Sequence, residues 1–349
     1  MLQIMLPASL ICEDPNSPAA TTTQSAPPLP AVVTGKVAFY AARYFPDGRK
    51  QTEVQHGPVT ERLPLASAFK TMLLNAVLQD VDAGRLHLDQ LFETTDANQS
   101  IEDFPPERVN SLDSLADVMI RRSDNTASDI LHLAAAPQRV AELTTQLSPC
   151  THLYLTTKAF WAALSGLIPD VIDPRTPETL RNSARAYAAL PAGEKRDVAA
   201  RINTLTQHVH QQQVYDGLDT YFNGPNYHPE NDVSLLNSST ARAYSDLLAQ
   251  LFLHSTLQPA TQQRFRDILA TGCCTKPSEG VPFPYRYWGA KAGSGWRLLT
   301  MTGFMELPDG SGIAYSYLNH ESDVEDAEEI ENQIRPVLNW IVSAITPIT

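Results

Sequence analysis

The chain has 349 residues, 43% hydrophobic and 19% charged, which is enough for a sizeable buried core. No uncharged apolar run of eighteen residues occurs, which excludes a membrane-spanning helix. Lys+Arg number 26 against 39 Asp+Glu, a formal charge of -13 that repels a phosphate backbone and argues against a nucleic-acid partner. The 4 cysteines, at positions 12, 150, 273 and 274, are too few for a disulfide scaffold and have no zinc or thioredoxin spacing.

The apolar start MLQIMLPASLIC has the character of an export-signal core without a basic flank, and reads as a weak or clipped leader. Residues 13 to 31 hold five prolines and five Ser/Thr, a composition that buries little, so residues 1–34 read as leader or disordered tether. A strand-like run, KVAFYAARYF, a Pro46-Asp47-Gly48 turn and a second polar strand ending at Gly57 then predict a hairpin. From Ser67 the apolar positions Phe69, Leu73, Leu74, Val77, Leu78 and Val81 recur at helical spacing, so an amphipathic helix runs to just before Gly84.

Helical signals dominate onward, over 111–120, 124–135, 178–190, 194–213 and 240–254, giving a helical region of about 67–284. Strands return at LLTMTGFMEL and IAYSYLNH around a Pro308-Asp309-Gly310 turn, and a last helix is predicted from about Asp323 to Ile345. The acidic run Glu321 to Glu331 suits the positive end of that helix and reads as a solvated face. The expected fold is α+β: an antiparallel sheet built from both chain ends, flanked by helices, with a large mostly helical region inserted.

Three strings carry candidate chemistry. Ser67-Ala68-Phe69-Lys70 puts a hydroxyl and an amine one helical turn apart, at a helix start whose backbone N–H groups can hold an oxyanion. Fifty-six residues on, Ser123-Asp124-Asn125 opens another helical run. Lys291-Ala292-Gly293-Ser294-Gly295 enters a strand whose glycines admit close approach of a ligand. The first and third are common strings alone and Ser123-Asp124-Asn125 is a firmer signal, and their order is what changes the reading.

In that order, S-x-x-K, S-D-N and K-x-G resemble the motifs of the penicillin-recognising serine enzymes, most closely the class A β-lactamases, over roughly residues 35 to 349. The resemblance implies a β-lactamase/transpeptidase-like fold, a catalytic domain over 35–349 and a periplasmic or secreted protein. It implies a serine acyl-hydrolase acting on β-lactams or related acyl donors through an acyl-enzyme on Ser67, with no metal and no cofactor. Lys70 is then the proton acceptor, acting in its neutral form, and Ser123 stands between Lys70 and Lys291 to relay a proton to the leaving nitrogen. Asn125 binds the substrate amide and Lys70, and the N–H groups of Ser67 and Ser294 form the oxyanion hole.

The partner expected is a small, carboxylate-bearing acyl substrate, attracted by Lys291. Strand alternation puts Arg297 on the same side as a second cation. Two departures from the family pattern stand out. Ala292 replaces a hydroxyl residue, removing one hydrogen bond to the carboxylate unless Ser294 or Arg297 substitutes. The second and third motifs lie 168 residues apart, with a surplus at about 158–236 that lacks the E-x-x-x-N glutamate of a deacylating base. Of the acids there, Asp170, Asp173, Glu178, Glu230 and Asp232, none is assigned that role, which keeps open a penicillin-binding or sensor-like protein with little turnover, or an esterase or D-Ala peptidase. The surplus segment is expected to roof the pocket. The His208–His210 pair lacks the companions of a zinc site, and the aromatics Phe283, Tyr285, Tyr287 and Trp288 are expected to pack on the sheet rather than wall a pocket.

Overall fold

A six-stranded sheet forms the middle layer of the computed structural model, which describes residues 10–101 and 107–349. Its strands are β1 (Thr22–Ser25), β2 (Lys36–Tyr44), β3 (Lys50–His56), β4 (Tyr287–Gly295), β5 (Leu298–Glu306) and β6 (Gly312–His320), arranged β1-β3-β2-β6-β5-β4. The two ends of the chain meet where β6 pairs antiparallel with β2, Tyr315 opposite Ala41 and Tyr317 opposite Phe39. The predicted α+β architecture, with a helical region inserted between hairpins from the two termini, is the one observed.

Alternation explains how β2 serves two cores at once. Ala38, Tyr40, Ala42 and Tyr44 face the large helical region, while Val37, Phe39 and Ala41 face the C-terminal helix Ile334–Ile345. That helix lays Val337, Leu338 and Ile341 on the sheet, and the Trp340 ring meets Phe39 edge-on at 4.8 Å. On the opposite face the helix Ala241–Leu253 crosses the central strands, where the Ser245 hydroxyl donates to the Tyr40 carbonyl at 3.0 Å.

Three expectations need correction. The Pro-rich stretch read as a tether is docked: β1 pairs parallel with β3, Thr22 opposite Thr52 through Ser25 opposite Gln55. Trp340 Nε1 donates to the Pro28 carbonyl at 2.9 Å, and Cys12 is disulfide-bonded to Cys150 across a sequence separation of 138. Composition misjudged this segment because its backbone groups pair with an existing sheet edge and so need no core of their own. The apolar start through residue 9, read as a leader, lies outside the described residues.

The helix expected over 194–213 is two, Ala192–Thr206 and Gln211–Asn223. The Gln213 side chain accepts from the His210 N–H at 2.9 Å and starts the second helix afresh. The last helix begins at Ile334 rather than Asp323. Pro336 is tolerated only in a first turn, and Asp326 caps a separate short helix, Ala327–Ile330, accepting from Glu328 N at 2.9 Å and Glu329 N at 2.8 Å. This break places the acidic run over the site described next. Cys273 is exposed and Cys274 half-buried, and neither is disulfide-bonded.

Candidate active site

The serine of the first motif sits where the chain turns from the short strand Arg62–Pro64 into the helix Lys70–Asp82. A 3-10 turn, Ala66–Phe69, joins the two, and Ala66 adopts a φ of 42°, in the left-handed region that a residue with a Cβ seldom occupies. Such strain persists only where the surroundings over-determine it. They do so here: Thr300 Oγ1 donates to the Leu65 carbonyl at 2.8 Å from β5, and Tyr244 OH donates to the Ala68 carbonyl at 2.6 Å from behind. Neither residue carried a motif, so sequence reading passed over both.

Lys70 is fully buried and its ammonium is shared among three motif residues. It donates to Ser67 Oγ at 3.0 Å, to Asn125 Oδ1 at 2.8 Å and to the Ser123 carbonyl at 2.5 Å. Ser123 also has a positive φ, 59°, which turns its hydroxyl between the two lysines: Lys291 Nζ donates to it at 2.8 Å, and Lys70 Nζ lies 3.4 Å away. Lys291, 2% exposed, donates as well to the Ala292 carbonyl at 2.5 Å. One hydroxyl therefore links two amines and, through Lys70, a second hydroxyl. That chain can move a proton from Ser67 towards a leaving group.

The remaining motif residues position this group. Asp124 accepts from Ala127 N at 2.6 Å and starts the helix Asn125–Ala134, which fixes Asn125. Asn125 Nδ2 donates to the Ile101 carbonyl at 3.0 Å. Gly293 brings β4 against the nucleophile turn: a Cβ there would collide with Ser67 N and come within 2.7 Å of Ala66 Cβ, so only glycine fits. Below lies Asp129, whose carboxylate accepts from Thr157 N at 2.7 Å and Lys158 N at 2.8 Å and starts the next helix, Thr157–Leu164. Burial raises the Asp129 carboxyl to about 6 against those stabilising N–H groups.

Ser67 and Asn125 open into a cavity of about 400 Å³. One wall is aromatic and apolar: Phe160 and Trp161 come from the helix Thr157–Leu164, and Leu218 and Phe222 from Gln211–Asn223. Phe222 stacks on Trp296 with centroids 4.7 Å apart and meets Trp161 edge-on at 5.9 Å. Part of the 158–236 surplus is thus cavity wall. Asp326, Glu328 and Glu331 also line the cavity, so the acidic run is only partly a solvated face. A larger cavity, about 590 Å³, lies between the N-terminal segment and the helix Ala241–Leu253 and holds none of the motif residues.

One of the expected substrate-binding residues, Arg297, is placed differently from the prediction. Arg297 is not on the strand: β4 ends at Gly295, Arg297 takes a φ of 56° in the turn, and its Nε donates to the Ser322 carbonyl at 2.6 Å. Alternation fails because the strand stops two residues short of it. Ser294 does stand at the cavity, but its hydroxyl donates to Glu331 Oε1 at 2.6 Å. Of the acids named in 158–236, Asp173 pairs with Arg175, Glu230 with Arg185 and Asp232 with His320. None of that segment's carboxylates lines the cavity among the described residues. Trp288, in β4, packs on the sheet, its Nε1 donating to Tyr315 OH at 3.0 Å, and none of Phe283, Tyr285, Tyr287 and Trp288 lines the cavity.

Residues 35–160 match the family model described as the beta-lactamase enzyme family. Among solved structures the chain is similar to a class A β-lactamase described as that of the last common ancestor of Gram-negative bacteria, with 21% identity, a TM-score of 0.56, and 89% of this chain and 94% of that one covered. A β-lactamase from Burkholderia vietnamiensis gives 16% identity and a TM-score of 0.56 over 90% of this chain and 93% of that chain. One from Xanthomonas campestris gives 18% and 0.55 over 90% and 92%. No curated protein sequence matches. The fold is that of the class A β-lactamases. The match over residues 35–160 and the fold of the whole chain thus point the same way.

Proposed function

We propose that this protein is a serine acyl-hydrolase in which Ser67 Oγ attacks the carbonyl of a β-lactam or related acyl donor. The supporting observation is the continuous contact from Ser67 Oγ through Lys70 Nζ, 3.0 Å away, to Ser123 Oγ and Lys291 Nζ, 2.8 Å apart. In this reading neutral Lys70 takes the Ser67 proton as the oxygen–acyl bond forms. The N–H groups of Ser67 and, by family resemblance, Ser294 hold the oxyanion. Ser123 passes its proton to the leaving nitrogen as the carbon–nitrogen bond breaks and takes one back from Lys70, and Lys291 keeps the Ser123 hydroxyl oriented. Water then cleaves the ester, releasing the acid and restoring Ser67.

A second reading shares the first half-reaction and stops there. It is favoured by the absence of any 158–236 carboxylate from the cavity among the described residues, which leaves the deacylating water to Lys70 or to a carboxylate of the acidic arm, Asp326, Glu328 or Glu331. Mixing the protein with a chromogenic cephalosporin while following product and intact mass separates the two. Sustained product supports hydrolysis, and a stoichiometric adduct supports an acylating protein with little turnover. Ester cleavage without a β-lactam adduct would move the assignment to an esterase. We further place the protein in an oxidising compartment, the periplasm or outside the cell, on the strength of the Cys12–Cys150 disulfide.

A further inference from the structure

We infer that the cavity beside Ser67 selects acyl donors carrying a positive charge at the position where penicillins and cephalosporins carry their carboxylate. The inference rests on the acyl-enzyme reading and names its substrate class. Three positions that could receive a carboxylate do not present a donor to it. Ala292 has no hydroxyl. Ser294 spends its proton on Glu331 Oε1 at 2.6 Å, so a substrate carboxylate there would face a protein carboxylate. Arg297 is drawn away into the loop beyond β6, its N–H donating to the Glu325 carbonyl at 2.9 Å and its Nε to the Ser322 carbonyl at 2.6 Å.

What lines the cavity instead suits a cation. Asp326, Glu328 and Glu331 are its charged residues, with no lysine or arginine among the described lining residues. The same lining holds Trp296 and Phe222, which are stacked, and Trp161, edge-on to Phe222, an aromatic surface whose ring faces attract a quaternary or guanidinium group. Lys70 and Lys291 are 0% and 2% exposed and bound to Ser67, Asn125 and Ser123, which confines their charge to the reacting end. The cavity thus has two ends, buried amines hydrogen-bonded to Ser67 and Ser123 and exposed carboxylates at the rim. A donor with its carbonyl at Ser67 and a cation at the rim matches both. Since Ser294 adjoins Gly293, which abuts Ser67 N, Glu331 lies within a small substrate's reach of the serine. The overall charge of -13 favours approach of the same ligand.

The test uses one chromogenic cephalosporin in three forms differing only at its carboxylate: the free acid, the methyl ester and the choline ester. Acylation of the full chain is read by intact mass in 50 mM and 500 mM NaCl. The choline ester is expected to acylate at least tenfold faster than the free acid at low salt, with the ratio shrinking at high salt. Glu328→Gln and Glu331→Gln, each checked for folding by thermal melting, are expected to bring that ratio towards one. A free acid that reacts as fast as the choline ester, or faster, overturns the preference and leaves the acyl-enzyme reading standing. Calorimetric titration of Ser67→Ala with both forms keeps the two ideas separate. Tighter binding of the choline ester with no adduct on the unmodified protein retains the cation preference and overturns acylation, whereas equal binding overturns the preference.

Discussion

The two ends of the Ser67 cavity are built on different plans. At the reacting end, short motif residues from three distant segments close a hydrogen-bonded group around Lys70, with strained backbone at Ala66 and Ser123. At the far end, side chains from the helices Thr157–Leu164 and Gln211–Asn223 and from the acidic arm after β6 form an aromatic and anionic surface. In the proposed reading the difference separates chemistry from selection: the first end is expected to tolerate little displacement, and the second to be open to change without disturbing it.

Removing the amine should break the reacting end most completely. Lys70→Ala is expected to lower the acylation rate by about 10²–10⁴-fold, the range for loss of a positioned general base, as read by the rate of intact-mass gain. Gly293→Ala comes next. Its Cβ has no room beside Ser67 N, so the serine or the strand must shift, and a misplacement of about 1 Å costs on the order of 10²-fold in acylation. At the far end the expectation changes in kind. Phe222→Ala should raise the half-saturating donor concentration roughly tenfold while the limiting acylation rate stays within about twofold, because the stacked pair contributes binding common to ground and transition state. A limiting rate that fell as far as in Gly293→Ala would dissolve the distinction between the two ends.

The smallest effect concerns what the reacting end stands on. His132, fully buried, has its ring 6.5 Å from Phe69 and no hydrogen-bond partner on either nitrogen among the described residues. Burial pushes it down to about 4. The unfolded chain therefore takes up the proton first as pH falls, so the stability this group contributes is complete above about pH 6.5 and is lost between there and pH 4. The slope is at most about 1.4 kcal/mol per pH unit. Denaturant unfolding at pH 7 and pH 5 should show a smaller loss in His132→Leu than in the unmodified protein. Asp129 on the same helix, raised to about 6, has the opposite sign, gaining stability as pH falls through that value, and partly offsets the histidine in the unmodified chain.

The fold was legible where periodicity is local. The hairpins of β2–β3 and β5–β6 and the helix after Ser67 follow from alternation, turn residues and helical spacing. The docked segment 10–34 was not legible, because a strand of four polar residues gains its order from the free edge of β3 rather than from its own composition. Within the site, Ser67 and Lys70 lie one turn apart and could be paired from spacing alone. Bringing Ser123, Asn125 and Lys291 to them depended on family resemblance, since no local rule joins residues 168 positions apart. Arg297 was misplaced because nothing in Trp296-Arg297-Leu298 announces that the strand ends at Gly295. Glu331 was missed for the reverse reason: an acidic run before a helix reads as a solvated first turn, and only Pro336 and the Asp326 cap hint that it folds back over a cavity.

The central claim is that Ser67 becomes covalently acylated. Trypsin digestion after incubation with a β-lactam, followed by mass mapping, addresses it directly, since cleavage at Arg62 and Lys70 isolates residues 63–70 with Ser67 as the sole hydroxyl. We predict the added mass on that peptide and none in Ser67→Ala. An adduct on any other peptide, or turnover that persists in Ser67→Ala, would contradict the account.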